Sequence, residues 1–434
     1  MTFYGGKKMQ IYVRIARYTL EKDIIAQNSN SFGLTIPANL LMYYGKSLAK
    51  FIIKNPRPFF IDPVTCIFVY PRNMLKRDNS ELQVDRGGNY KLKKSYDKLV
   101  RAYDKGLIDL FKSDNPLPTS YFDDPDNVEK FVRNNIAYQK NLLTNSLDKI
   151  SRYEAMVGEE IPEKSNLKPE FLTAPYFYFG DSSDPWYDVN IKLSQLTKEF
   201  SSNDNVYSII CTHKQSLSST LADEIVSDFD EVDGYLLFAS NFEEYVEPIH
   251  SLRRLKSFVS RLYEKSSKPI LNLYGSFFSV FLNYYGMKGV SSGLCVLDHK
   301  DVLEEVTMAI ARIKFYLPSI RGFLVENDYK TYLERFNPSD ECDCNLCQTL
   351  ANKKTSLSTR SYVSGIDKLF SIYRGKLMTS AMDHFLHCRL NESELVNTKS
   401  LSEIRAILET NRRNSRRYAH VLNTSNFVDR ILRI

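Results

Sequence analysis

The chain contains no apolar run near the ~18 residues that a membrane-spanning helix requires, so a membrane-embedded role is set aside. No apolar segment or small-residue cleavage site follows the lysines of MTFYGGKKMQ, which argues against export and for a cytoplasmic address. Neither GxGxxG nor GxxxxGK follows the early apolar runs, and this makes an open, doubly wound nucleotide-binding sheet the weaker architecture. Internal repeats and low-complexity tracts are also lacking, which leaves repeat architectures without support. Tryptophan is reduced to Trp186. Cysteine is present in an odd number, seven, in a long chain without a leader, which disfavours a disulfide framework and favours reduced thiols or metal ligation.

What is present is an ordinary globular composition, 43% hydrophobic and 25% charged, with a net charge of +6 that a polyanionic partner would tolerate but does not require. At 434 residues the chain exceeds the roughly 250 to 300 at which one core stops growing, so a large domain with a smaller appendage is expected. From about residue 56 to 300, β-type runs alternate with amphipathic helical segments. The β-type runs are PFFIDPVTCIFVY, APYFYFGDSSDP, NVYSIICTHK, VDGYLLFASN, KPILNLYGSFF and GLCVLDHKD, and the helical segments include VNIKLSQLTKEFS and PIHSLRRLKSFVSRLYEKS. With further strands near QIYVRIARY and IKFYLP the count approaches eight, and the expected fold class is α/β, a TIM (β/α)8-like barrel.

Residues 1–330 are assigned to this barrel, with a charged, loop-rich insertion at about 72–170 after the second strand. Residues 331–400 form a zinc-binding subdomain, and 401–434, carrying NRRNSRRYAH, form a basic helical tail. In such a barrel the chemistry sits where strands end, so Asp62, Asp181, Asp184, Asn241 and Asp298 are the polar positions of interest. Asp184 and Asp298 also sit where a helix N-cap would be.

Within ECDCNLCQ the C-x-C-x2-C spacing lets the sulfurs of Cys342, Cys344 and Cys347 converge on one tetrahedral ion, and soft thiolates select zinc. The fourth ligand comes from DHFLHCRLNE, which offers His384, His387 and Cys388. Four protein ligands close the coordination sphere, so the zinc would be structural. Cys66, Cys211 and Cys295, each inside an apolar run, read as core.

FNPSDECDCNLCQ resembles the F-x-P-L-D-x-x-C-x-C-x-x-C segment of the tRNA-guanine transglycosylase superfamily. VDGYLLFASNFEE resembles its D-G-Y-A-x-G-G-L-x-x-G-E strand, and KPILNLYGSFFSVFLNYYGMKGV resembles the stretch after it. FFIDPVTCIF stands where the family has T-D-S-G-G-F-Q, and LSEIRAILETN resembles its C-terminal helix, so the likeness runs over roughly residues 50 to 415. It implies a TIM barrel with an inserted zinc subdomain that exchanges guanine in a polynucleotide for a 7-deazaguanine through a covalent glycosyl-aspartate.

By the same resemblance Asp62 handles protons beside the incoming base, and Asp181 or Asp184 binds the base edge. His387, in FLHCRL, resembles the family's histidine ligand. The family's nucleophile segment reads GVSSGL here, without an aspartate, which leaves Asp298 as the candidate nucleophile. Its Q-G and G-G-L are replaced by Cys211 and Thr212 and by Phe238, Ala239 and Ser240. This divergence resembles the DNA-guanine transglycosylase branch, with DNA and a free base such as 7-cyano-7-deazaguanine as substrates and a homodimer as a possible assembly. The alternatives are a non-catalytic nucleic-acid-binding partner subunit, or an enzyme acting on tRNA.

Overall fold

The computed structural model describes residues 8–28, 31–78, 81–157, 167–201, 203–295, 300–304, 313–358, 361–362, 364–365, 368, 374–419 and 426–434. Eight parallel strands form one sheet: β1 Gln10–Arg14, β2 Gly33–Pro37, β3 Phe59–Asp62, β4 Leu172–Thr173, β5 Val206–His213, β6 Gly234–Ser240, β7 Ile270–Asn272 and β8 Met287–Ser292. Their order is β3-β2-β1-β8-β7-β6-β5-β4, the cyclic order of a (β/α)8 barrel opened between β3 and β4. That seam is nearly shut. Glu170 N donates to Phe59 O at 2.8 Å, and Thr173 Oγ1 donates to Ile61 O at 2.5 Å.

The strands are apolar on both faces because one face lines the barrel and the other meets helices. The period of two sorts them. Tyr12, Phe60, Tyr207, Ile209, Leu236, Phe238 and Leu271 point into the lumen, while Ile11, Val13, Leu34, Ile36, Phe59 and Ile61 join the outer core under the helices. Aromatic rings fill the lumen: Phe171 stacks on Tyr207 at 4.0 Å between centroids and on Phe60 at 4.9 Å. Gly33 and Gly234 make room for these rings, since a Cβ there would come within 2.5 Å of Tyr12 and 2.6 Å of Tyr207.

Four parts of the barrel differ from the sequence reading. The strand expected at APYFYFGDSSDP is Leu172–Thr173, just ahead of it, and within that run Phe179 makes an isolated bridge to Thr212. The segment GLTIP forms β2, which a five-residue run between two helices did not advertise. KFYL at Lys314–Leu317 leaves the barrel and pairs antiparallel with Gly322–Val325. The last strand is MKGVSS and ends at Ser292, before GLCVLD.

The region at 72–170 follows the third strand, not the second, and its described part is largely helical. Helices Lys94–Tyr103, Leu107–Lys112 and Pro125–Val157 surround a packed cluster of Phe68, Tyr103, Phe111 and Phe131. It is a folded cover on the barrel rather than a solvated loop.

After the barrel, the hairpin, helix Glu326–Arg335 and helix Asn345–Ser356 enclose a small core of their own that includes Phe315, Leu324, Tyr329, Tyr332, Leu350 and Leu377. Helix Arg374–Thr398 joins this unit to the barrel. Leu377 and Ala381 face the small core, and Met382, Phe385 and Leu386 face the large one. Farther along, Ser393 Oγ donates to Met9 O at 3.0 Å, and Asn397 exchanges two hydrogen bonds with the Met9 backbone at the start of β1. The basic C-terminal segment is helical, as its pattern indicates, and it is docked. Tyr418 donates to Glu341, and Arg253 Nη2 donates to Arg433 O at 2.8 Å. Among the described residues no helix is long and apolar enough to cross a membrane.

Candidate metal centre and barrel mouth

The metal centre is assembled from one loop and one helix. Asn337 caps the turn Pro338–Asp340 by accepting from Ser339 N, and Cys342 N then donates to Pro338 O at 3.3 Å, which brings the first thiol inward. Cys344 is the N-cap of helix Asn345–Ser356, so Cys347 lies in its first turn, close to the other two thiols. Cys344 N also donates to Cys342 Sγ at 3.4 Å.

The three thiols meet His384 from helix Arg374–Thr398. Its Nδ1 is 3.1 Å from Cys344 Sγ and 3.6 Å from Cys347 Sγ. Its Nε2 donates to Tyr316 O at 2.8 Å, which places the ring proton on Nε2 and leaves the Nδ1 lone pair for an ion. One ligand atom from each of Cys342, Cys344, Cys347 and His384 lies within 4.8 Å of all the others, and all four residues are buried. A tetrahedron with metal–sulfur bonds of ~2.3 Å has edges of ~3.8 Å, so these residues fit a metal ion.

His387, the histidine indicated by the resemblance, is outside the four-residue cluster and groups instead with Cys342 and Asp343, their ligand atoms within 4.8 Å of one another. Three residues beyond His384, it is displaced about 60° round the helix toward solvent. There its Nε2 lies 2.7 Å from Asp343 Oδ1 and its side chain is 35% exposed. Cys388, at i+4 from His384, does share the inward face, with Sγ 3.7 Å from Cys342 Sγ. Crowding sets the protonation of the cluster. Hydrogen bonds from Cys344, Cys347 and Cys388 hold Cys342 far below an ordinary thiol. Burial works against a charge on His384, but hydrogen bonding to Cys342 and Cys344 outweighs it and pushes the ring up to about 10, so an ion entering the cluster would displace the Nδ1 proton.

At the other centre, Asp62 ends β3 fully buried. Its Oδ2 accepts from Arg14 Nη2, at the end of β1, at 2.5 Å. Its Oδ1 accepts from Val64 N and from the Tyr176 hydroxyl, both at 3.0 Å. Tyr176 is itself fixed to the loop after β3, donating N–H to Thr65 Oγ1 at 2.8 Å and accepting that hydroxyl on its own carbonyl at 2.7 Å. Burial pushes the Tyr176 hydroxyl well up, so it is a hydrogen-bond donor at neutral pH. Arg14 Cζ lies 4.5 Å above the Tyr274 ring.

The other candidate carboxylates have different partners. Asp181 is exposed, and its Oδ1 takes the N–H and hydroxyl of Ser183 in a tight turn, which lowers its pKa. Asp184 accepts from Gly180 N at 2.9 Å and from Trp186 N at 3.0 Å, closing the turn and capping helix Pro185–Ser201. Asp298 lies outside the described residues. Asn241 adopts φ 56° and donates N–H to Lys300 O. At the end of β8, Ser291 Oγ pairs with Thr35 Oγ1 at 2.8 Å.

Three buried polar residues near these candidate sites escaped the sequence reading. Arg14 was legible as a lone charge inside the apolar run IYVRIARY. Tyr176 carried no signal beyond its place in the aromatic run APYFYF. Glu244, fully buried, accepts from the backbone N–H groups of Ser276, Phe278 and Ser279 and from the Ser279 hydroxyl, so an internal carboxylate occupies the N-terminus of the helix that follows β7. Burial raises its pKa despite these bonds. No protein-family model matches this chain, and no curated protein matches it.

Proposed function

We propose that this chain is a base-exchange transglycosylase that replaces guanine in DNA with a 7-deazaguanine such as 7-cyano-7-deazaguanine. The observation that carries the reading is a buried three-cysteine, one-histidine cluster in the unit that follows the eight-stranded parallel barrel, as the resemblance of FNPSDECDCNLCQ leads one to expect. Thiolates with one imidazole favour zinc among common cations, and with four protein ligands the ion ties the appended unit to helix Arg374–Thr398 and performs no chemistry.

In this reading the Asp298 carboxylate attacks the anomeric carbon of the target nucleotide, the glycosidic bond breaks, and guanine departs from the covalent glycosyl-enzyme. The incoming base reverses the step, and the proton it gives up from its ring nitrogen balances the one guanine takes away. Asp62, oriented by Arg14 and Tyr176, stands at the strand mouth where that proton is managed. Asp181 and Asp184 are the candidates for the base edge, Asp181 in an exposed turn and Asp184 at the N-terminus of helix Pro185–Ser201.

A second reading, a non-catalytic nucleic-acid-binding partner of such an enzyme, is favoured by two observations: β8 ends in Ser291 and Ser292, and Asp62 is already ion-paired to Arg14. Incubation with radiolabelled guanine and either DNA or tRNA separates the readings. Label is expected to enter DNA and to be lost in Asp298→Ala. Label entering tRNA alone would assign the enzyme to that substrate, and label entering neither would favour the partner subunit.

A further inference from the structure

The barrel mouth holds two cations and one carboxylate that answers them. Arg14 gives Nη2 to Asp62, yet its Nη1, on a side chain only 4% exposed, has no hydrogen-bond partner. Lys300, beyond β8, approaches the same aromatic cluster. Its Nζ lies 5.8 Å from the centroid of the Tyr274 ring that Arg14 also covers, and 5.7 Å from that of Phe238. Among the described residues no carboxylate pairs with Lys300, and Asp301, the nearest acid in sequence, is engaged by the Ser240 hydroxyl and Leu303 N.

Aromatic faces return only about 0.5–2 kcal/mol to a cation, less than the several kcal/mol lost when an ion leaves water. Among the described residues a surplus positive charge therefore remains beside tyrosines and thiols. Lys300 is partly exposed, so its side of the cluster meets solvent, and Tyr70 and Tyr178, also partly buried, pack against the lumen cluster.

We propose that the barrel mouth binds an oxyanion, a phosphoryl group, on Lys300 Nζ and the unpaired Nη1 of Arg14. A planar guanidinium edge with a spare N–H and a flexible ammonium make a suitable pair for such an anion. The phosphoryl group can be free phosphate or that of a nucleotide, in which case the Tyr70 and Tyr178 rings offer faces for its base. The site does not depend on base exchange, because a barrel that only binds nucleic acid would hold the same group.

The probes are inorganic phosphate and deoxyguanosine 5′-monophosphate, each compared with chloride at equal ionic strength. Phosphate is expected to raise the melting temperature of the full chain. Lys300→Met, which keeps side-chain length against Tyr274 and Phe238, should weaken the apparent affinity by at least ~10-fold, about 1.4 kcal/mol, and Lys300→Arg should restore most of it. Protection of Lys300 from acetic anhydride, read by mass spectrometry on the unsubstituted protein, gives the same answer without a variant. Protection by the nucleotide at lower concentration than phosphate supports a nucleotide-borne group, and equal concentrations support free phosphate. Equal effects of phosphate and chloride, modification of Lys300 unaltered by either probe, or a folded Lys300→Met that keeps full affinity would overturn the site.

Discussion

Replacement of His384 by alanine is expected to strip the metal from the protein and to loosen the unit around it. His387→Ala should do neither. The imidazole of His384 is the group that faces Cys344 and Cys347 and is oriented from behind by the Tyr316 carbonyl, whereas His387 faces Asp343 at the surface. Structural zinc sites contribute roughly 10–16 kcal/mol of apparent binding free energy, which is folding free energy for a unit as small as this one. Loss of one of four ligands forfeits a large share of it, while a surface substitution is ordinarily worth within about 0.5 kcal/mol. Metal content after dialysis against a chelator, together with limited proteolysis between residues 313 and 400, reads both effects. If His387→Ala lost the metal and His384→Ala kept it, the ligand set would be wrong. Retention by both would make Cys388, 3.7 Å from Cys342, the fourth ligand.

Arg14→Met is expected to cost about 3–5 kcal/mol, because it leaves the fully buried Asp62 carboxylate without its counter-charge. Arg14→Met combined with Asp62→Asn should recover most of that loss, since a neutral amide can keep the hydrogen bond from Tyr176 and no uncompensated charge remains. Urea unfolding of the two single variants and the double variant completes the cycle. A cost below about 1 kcal/mol for Arg14→Met would mean that water reaches the pair.

These two centres show where the sequence speaks and where it does not. The three cysteines were legible because ligand spacing is local: a turn and the first turn of a helix bring residues 342, 344 and 347 together whatever the rest of the chain does. The histidine was not, because choosing between positions 384 and 387 depends on which way helix Arg374–Thr398 faces, and that is set by Met382, Phe385 and Leu386 packing on a core built from the whole barrel. The barrel rhythm was visible wherever strands are seven or eight residues long, as at Val206–His213 and Gly234–Ser240. It failed at Gly33–Pro37 and Leu172–Thr173, which are too short to show a period, and at Lys314–Leu317, whose alternation suits a hairpin as well as a barrel. Asp62 was found from its strand-end position, but its partner Arg14 is 48 residues away and meets it only through the pairing of β1, β2 and β3. Asp184 shows the opposite case, a carboxylate whose local motif before Pro185 already described its capping role.

The proposed chemistry stands or falls on a covalent glycosyl-enzyme. The protein, incubated with DNA in the absence of a free incoming base and then denatured, should retain DNA in a complex that survives the gel, and peptide mapping should place the link on Asp298. The complex should dissolve when guanine or a 7-deazaguanine is supplied before denaturation. A protein that binds DNA but yields no such complex, with Asp298→Ala indistinguishable from the unsubstituted chain, would contradict the transglycosylase account and leave a binding subunit in its place.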